Sequence, residues 1–107
     1  MQFGPWYSLA SAGDHAPASE GVLQLRLASG LLTYPSGKSA MVWYGHADDV
    51  RAAALALARA HAPSPHGALV CRHLIEIEEG TNLIAFCAKL RGDFVRRFGS
   101  HPVLEAP

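Results

Sequence analysis

The sequence predicts a single α/β domain of the α+β type, in which a small, mostly antiparallel sheet of three strands carries flanking helices. Two segments, 50–61 and 83–98, have the composition or periodicity of helices, and segments 21–28, 40–44 and 67–79 have that of strands. With a short leading helix, the chain order is (α)ββαβα. The chain has 107 residues, half of them hydrophobic, which suffices for one core and leaves no room for a second domain.

The first twenty residues form an arm before the domain, which we place at 21–107. The arm is rich in Ala, Ser, Gly and Pro, and its apolar anchors are Trp6, Tyr7 and Leu9. A short helix over 7–12 would dock these side chains on the core. Glycine and proline then end that helix before the first strand.

The first strand is predicted from alternation. Leucines occupy every second position of segment 21–28 and are separated by Gln24 and Arg26, which is typical of a half-buried strand. Glycines, a proline and a serine within 30–37 indicate a loop or a hairpin. The apolar run 40–44 that follows is the second strand.

The third strand lies between two predicted helices. Asp48 or Asp49 is a suitable N-cap for the alanine-rich helix 50–61, because a carboxylate accepts hydrogen bonds from the free amides of a first turn. Segment 67–79 begins apolar and then alternates isoleucine with glutamate, as a strand does.

The last helix, 83–98, carries one apolar stripe that includes Cys87. Asn82 is placed to cap its start, and Gly99 to end it in a left-handed conformation. A cysteine on the apolar stripe should be buried, and burial makes a thiol inert. The arginines of this helix lie off the stripe.

Composition excludes several classes of protein. Lys plus Arg and Asp plus Glu number 9 each, so the formal charge is zero, which counts against a protein that mainly grips phosphate backbones. No stretch approaches the roughly 20 apolar residues of a membrane span, and we expect no secretory signal. Cys71 and Cys87 lack the spacing of a zinc site. We therefore expect free thiols and a cytoplasmic protein that makes no contact with membranes.

Segment 43–51 is the most informative stretch of the chain. A strand ends at Gly45, a helix is capped, and Arg51 falls in the first turn of that helix. Two aromatic residues, Trp43 and Tyr44, come directly before the turn. An arginine beside free helix amides is a suitable arrangement for holding an anion.

This segment resembles the second signature of the GIY-YIG nuclease family, in which a strand ending in Tyr-Ile/Val-Gly leads into a helix that opens with arginine. The first signature of the family is similar to 21–23, and its last conserved helix to 87–99. The similarity covers about 21–102. The resemblance implies the family's small sheet flanked by helices, and a cleft that cleaves phosphodiesters with a divalent metal ion.

The chain departs from the family at the positions that carry its chemistry. Leu23 replaces the first tyrosine, and Trp43 the second, unless the register slips by one to Tyr44. Cys87 stands where the family has its metal-binding glutamate, and a thiol is a poor ligand for Mg²⁺. Arg51 remains. The resemblance therefore implies a catalytically degenerate domain that works as a binding or interaction module and needs no cofactor.

The former cleft is the predicted binding site, and its ligand is a nucleic acid or a protein. The aromatic residues would stack on a base or on a partner's side chain, and the arginine would hold a phosphate or a carboxylate. The predicted binding residues are Trp43, Tyr44, His46, Arg51, His73 and Cys87.

Two alternatives stay open. In the first alternative, the chain is a divergent endonuclease that keeps Tyr44 and Arg51 and takes its Mg²⁺ ligand from Glu76, Glu78 or Glu79. Otherwise it is an interaction protein of the inhibitor or immunity type, which zero net charge suits better than binding to DNA.

Overall fold

The computed structural model describes residues 1–61 and 63–104. The strands are β1 (Gln2–Phe3), β2 (Tyr7–Ser8), β3 (Gly21–Leu27), β4 (Leu32–Tyr34), β5 (Gly37–Ser39), β6 (Met41–Ala47) and β7 (Leu69–Glu76). The helices are a 3-10 helix (Leu9–Asp14), α1 (Val50–His61) and α2 (Leu83–Phe98). The predicted class, a small α+β domain with an antiparallel sheet, is confirmed, but the main sheet has five strands rather than the predicted three because the arm adds two short ones.

The central sheet has the order β6-β3-β7, and both pairs of neighbours are antiparallel. Leu23 of β3 lies opposite Gly45 on one side and His73 on the other. The arm adds β1 and β2, which pair one after the other with the second edge of β7. The short helix of the arm therefore begins later than predicted, because Tyr7 and Ser8 pair with β7 before it.

The predicted connection over 30–37 is a hairpin made by β4 and β5. Tyr34 joins this hairpin to the rest of the fold. Its hydroxyl donates to the carbonyl of Met41 at 2.7 Å, and its ring meets Phe94 of α2 edge-on at 5.0 Å. The amide of Ser36 donates to the carbonyl of Phe98, so the hairpin also covers the end of α2.

One face of the sheet packs against α1 and the 3-10 helix. Leu23 and Leu25 are fully buried there, beside Val50, Ala54 and Leu57 of α1. The helix has its predicted bounds because its start is set locally. Asp49 is the N-cap, and its Oδ1 accepts from the amide of Ala52 at 3.0 Å.

The opposite face packs against α2, and this corrects the prediction of a half-buried β3. Val22 points to that face and is fully buried, as is the side chain of Gln24 at 5% exposure. Gln24 is tolerated there because its Oε1 accepts a hydrogen bond from Nε of Arg72 at 2.7 Å. β3 is therefore a central strand, covered on both faces.

α2 has its predicted bounds as well. Asn82 caps it by accepting from the amide of Ala85 at 3.0 Å, and Gly99 ends it at φ +81°, a left-handed conformation that glycine adopts without strain. Within the described ranges, neither helix combines the length and the apolar character that crossing a bilayer requires.

Candidate functional site

A groove of about 670 Å³ runs between the outer edge of β6 and α2. It brings together three of the predicted site residues, Trp43, His46 and Cys87. Side chains of α2 complete it, among them Ile84, Arg91, Val95 and Arg96. The groove is therefore formed by a strand and a helix that are adjacent in space but separated in the chain.

The outer edge of β6 forms one side of the groove, and two of its backbone carbonyls have hydrogen-bond partners. Nε and Nη2 of Arg91 donate to the carbonyl of Tyr44 at 2.9 and 2.5 Å. The amide of Leu104 donates to the carbonyl of Val42 at 3.1 Å. These two hydrogen bonds hinder the pairing of another strand with this edge.

Trp43 forms a rigid wall of the groove. Its ring lies over Gly45, where a Cβ atom would overlap the indole atoms Cη2 and Cζ2, so this position requires glycine. The side chain is only 6% exposed and belongs to the core on the α1 face. Little of the ring is left for a base to stack on.

Tyr44 packs on the other face of the sheet, with its ring 5.8 Å from that of Phe94. It lines an adjoining cavity of about 470 Å³ together with Arg91 and His101. Burial raises the pKa of the Tyr44 phenol, so the hydroxyl stays protonated at neutral pH.

Cys87 lies under the groove and is 4% exposed. Burial raises the pKa of its thiol, while the charge of Arg91 and the backbone amide of His46 act in the opposite direction. The neutral thiol therefore predominates at pH 7. Cys87 is a packing residue here and lacks the thiolate that a nucleophile or a metal ligand needs.

Arg51 and His73 lie away from the groove. Nε of Arg51 donates to the carbonyl of Ala16 at 2.8 Å, and its backbone amide donates to Pro17, so Arg51 fastens the arm to α1. Nδ1 of His73 shares a hydrogen bond of 2.8 Å with the hydroxyl of Tyr7, and burial lowers the pKa of this imidazole. Both residues contribute to attachment of the arm.

The four positions of the nuclease resemblance are divided between two layers. Leu23 and Trp43 belong to the core on the α1 face, whereas Cys87 packs with the cluster on the α2 face. Arg51 is engaged by the arm. These positions do not line one cavity in the part of the chain that the structure describes.

The metal ion that the resemblance implies does not fit the residues present. The thiol of Cys87 is the wrong donor for Mg²⁺. The alternative ligands lie at or beyond the end of β7, and β3 separates that strand from β6. Glu78 faces the N-terminal amine of the chain, 3.9 Å away. The described residues at these positions therefore do not form a site for this ion.

The structure contains a cluster of metal-ligating side chains that the sequence does not predict. Ligand atoms of Glu20, His46 and Asp48 all lie within 4.8 Å of one another, and Nε2 of His46 is 2.6 Å from Oε2 of Glu20. No short motif contains these residues. Only the register of β3 against β6, which places Val22 opposite His46, could have indicated their proximity.

A stack of two arginines on aromatic rings of the arm, on the α2 face of the sheet, is also not predicted from the sequence. The guanidinium groups of Arg26 and Arg72 lie 4.1 and 4.5 Å from the ring centre of Trp6, and Arg72 also contacts Phe3. The arrangement holds the arm on the sheet by cation–π contacts.

The groove is thus the place where the structure gathers the largest share of the predicted site, namely Trp43, His46 and Cys87, with Arg91 added by α2. No protein-family model matches the chain, and no curated protein matches it either. The geometry and charge of the groove are therefore the evidence from which a function can be inferred.

Proposed function

We propose that this protein is a binding module whose groove between β6 and α2 receives an acidic, partly apolar segment of another protein. The observation that carries the proposal is an apolar groove bordered by the guanidinium of Arg91, whose contacts are a neutral carbonyl and an indole ring. The groove would then serve binding rather than cleavage.

Charge favours an acidic partner. Arg91 has no carboxylate partner among the described residues, while Arg96 is paired with Asp93 on the same helix. The positive charge of Arg91 therefore remains uncompensated beside the groove. An acidic side chain of a partner would complement it, which improves both orientation and the rate of association.

Apolar contact would supply most of the affinity. Ile84 is 62% exposed at the groove, a high value for an isoleucine, and Val95 lies further along the same helix. Burying such side chains gains roughly 25 cal/mol per Å² of apolar surface removed from water. A partner with one or two aliphatic or aromatic side chains next to its carboxylate fits this surface.

Two occupied carbonyls on the outer edge of β6 favour side-chain insertion over strand addition. The carbonyls of Val42 and Tyr44 already accept hydrogen bonds from Leu104 and Arg91. An incoming strand would have to displace these bonds, whereas a helix or loop needs no backbone partner. We therefore infer a partner that presents its side chains from a helix or a loop.

Nucleic acid and nuclease activity receive less support. Trp43 offers little free ring surface, and the formal net charge of the chain is zero. The guanidinium of Arg51 donates a hydrogen bond to the carbonyl of Ala16, and the phenol ring of Tyr44 packs beside Phe94. These positions supply neither a stacking platform nor the catalytic pair that a cleaving enzyme would keep.

Selection from a random peptide library displayed on phage tests the proposal. We expect enriched peptides to combine Asp or Glu with a neighbouring aliphatic or aromatic residue. Synthetic versions of these peptides should bind the wild-type chain and lose about tenfold or more in affinity with Ile84→Glu or Arg91→Gln, each tenfold loss corresponding to about 1.4 kcal/mol.

Two matched variants serve as controls. Leu31→Glu places the same charge at a residue of nearly equal exposure, 61%, outside the groove. Arg59→Gln removes an exposed arginine from α1. Equal losses in the controls would contradict the proposal. Enrichment of basic peptides would contradict it too, as would tight, salt-dependent binding of a single-stranded 20-nucleotide DNA that Arg91→Gln abolishes.

A further inference from the structure

We propose that Glu20, His46 and Asp48 form a binding site for Zn²⁺ at the end of the sheet where β3 begins and β6 ends. The inference does not depend on the proposed function. Ligand atoms of the three side chains already lie within 4.8 Å of one another.

The antiparallel register of the sheet brings these residues together. Gly21 lies opposite Ala47, and Val22 opposite His46, so the residue before β3 and the residue after β6 are neighbours. Glu20 and Asp48 occupy those two positions, and the imidazole of His46 lies within 4.8 Å of both carboxylates. The site is therefore built on two paired strand ends, which hold their backbones in fixed relation.

The carboxylate of Asp48 is available to a cation. The first amides of α1 are already used, since Val50 donates to Ser19, Arg51 donates to Pro17, and Ala52 donates to Asp49. None of the described residues makes a hydrogen bond or an ion pair with the Asp48 side chain. Helix capping thus does not compete for this carboxylate.

The cluster carries more negative charge than its own residues compensate. Two carboxylates lie close together, and the imidazole of His46 pairs with Glu20 but not with Asp48. Like charges at this separation repel. A bound divalent cation would remove the repulsion and convert it into attraction.

The donor set selects the class of ion. One imidazole nitrogen with two carboxylate oxygens suits Zn²⁺ and similar first-row ions, whereas Mg²⁺ and Ca²⁺ prefer oxygen donors throughout. Around a tetrahedral Zn²⁺ at bond lengths of about 2.0–2.2 Å, donors stand roughly 3.4 Å apart. The exposed side chains of Glu20 and Asp48 can rotate inward to reach this spacing, while His46 is held by β6.

Binding of Zn²⁺ would replace one hydrogen bond, between His46 and Glu20, with three metal–ligand bonds. Zn²⁺ takes the lone pair of Nε2, so the hydrogen bond between His46 and Glu20 breaks, and a proton on Nε2 moves to Nδ1 or to solvent. Glu20 then becomes a ligand instead of a hydrogen-bond partner. Three protein donors leave one position of a tetrahedral ion for water or for a ligand, and His46 places that ion beside the groove.

Titration of the untagged full chain with Zn²⁺, followed by competition against a chromophoric chelator, tests the site. We expect one ion per chain in the low micromolar range or tighter. His46→Ala, Glu20→Gln and Asp48→Asn should each weaken binding by at least about tenfold. Because Glu20 and Asp48 are exposed, the last two variants should fold as the wild type does, which circular dichroism checks.

Two control variants and one spectrum make the test specific. His66→Ala removes a histidine that does not line the groove, Glu79→Gln removes an exposed carboxylate, and neither should change the affinity. Substitution with Co²⁺ should give the bands of a nitrogen and oxygen site without thiolate charge transfer. Absence of binding, binding that survives all three ligand variants, or a thiolate spectrum would each overturn the proposal.

Discussion

The guanidinium of Arg91 donates two hydrogen bonds to the backbone carbonyl of Tyr44, which links α2 to the outer edge of β6. This contact blocks the edge strand with a charged side chain, a common protection against unwanted pairing. It also holds the cation beside the groove, 6.0 Å from the ring centre of Trp43. One residue thus contributes to both the fold and the proposed binding surface.

Loss of this contact should lower stability modestly. Arg91→Ala leaves the Tyr44 carbonyl to water, so we expect the free energy of unfolding to fall by about 1–2 kcal/mol in urea denaturation. Arg91→Lys should recover part of that loss. Lys89→Ala, at an exposed position on the same helix, is the control, and an equal loss there would argue against a specific role for Arg91.

Gly45 should be among the least substitutable positions, because Trp43 occupies the space of its missing side chain. Gly45→Ala forces the indole or the strand to move, and overpacking of this kind typically costs about 1–3 kcal/mol. Gly92→Ala is the informative contrast. Its added Cβ meets only the flexible end of Arg96, at 3.4 Å, so it should stabilise α2 by up to about 1 kcal/mol.

A double-substitution cycle checks the cause at Gly45. Trp43→Phe removes the outer ring of the indole, so Gly45→Ala should cost clearly less in that background than in the wild type. Equal costs in the two backgrounds, measured by urea denaturation, would show that strand propensity rather than the indole limits this position.

The helices could be predicted closely because their signals are local. Asp49, Asn82 and Gly99 each act within one turn of the helix end that they define, and the structure places them in those roles. The burial of Gln24 could not be predicted in the same way. It depends on Arg72, which lies 48 residues away along the chain and is brought opposite by sheet pairing.

The same distinction between local and long-range signals applies to the candidate site. The sequence predicts Trp43 and His46 as site residues because they flank the end of the second strand at Gly45. It predicts Cys87 because this residue lies on the apolar stripe of the last helix. Arg51 sits in the predicted first turn, but the carbonyl of Ala16 in the arm captures its guanidinium. Local patterns locate a side chain in its element, whereas its partner is set by contacts between distant segments.

Stability should fall in alkaline solution because of Cys71. Burial raises the pKa of this thiol to about 11, against a hydrogen bond from Tyr7 that acts in the opposite direction. The unfolded thiol ionises at a lower pH, so the contribution to stability is complete below about pH 9 and is lost as pH rises towards 11. A pKa raised from about 9 to about 11 corresponds to roughly 2–3 kcal/mol of stability lost over that pH range.

Urea denaturation at several pH values from 7.5 to 11 measures this effect. Cys71→Ala should be less stable than the wild type at neutral pH, since it removes a buried side chain, but its stability should decline less steeply with pH. Tyr7, Tyr44 and Cys87, whose pKa values burial also raises, are left in place and contribute to the remaining slope. Parallel curves for the two proteins would contradict the assignment to Cys71.

The arm should detach from the sheet when Trp6 is removed. Its ring contacts the guanidinium groups of both Arg26 and Arg72, and each cation–π contact is worth about 0.5–1 kcal/mol or more where it is partly buried. We expect Trp6→Ala to speed hydrogen exchange at the amide of Gly4, which donates to the carbonyl of His73, well beyond the exchange rate in the wild type. Trp6→Phe keeps an aromatic face and should retain most of the protection. Because α1 and the groove do not contact this stack, amides of α1 should be far less affected. Uniform acceleration throughout the chain would instead mean that Trp6 supports the whole fold.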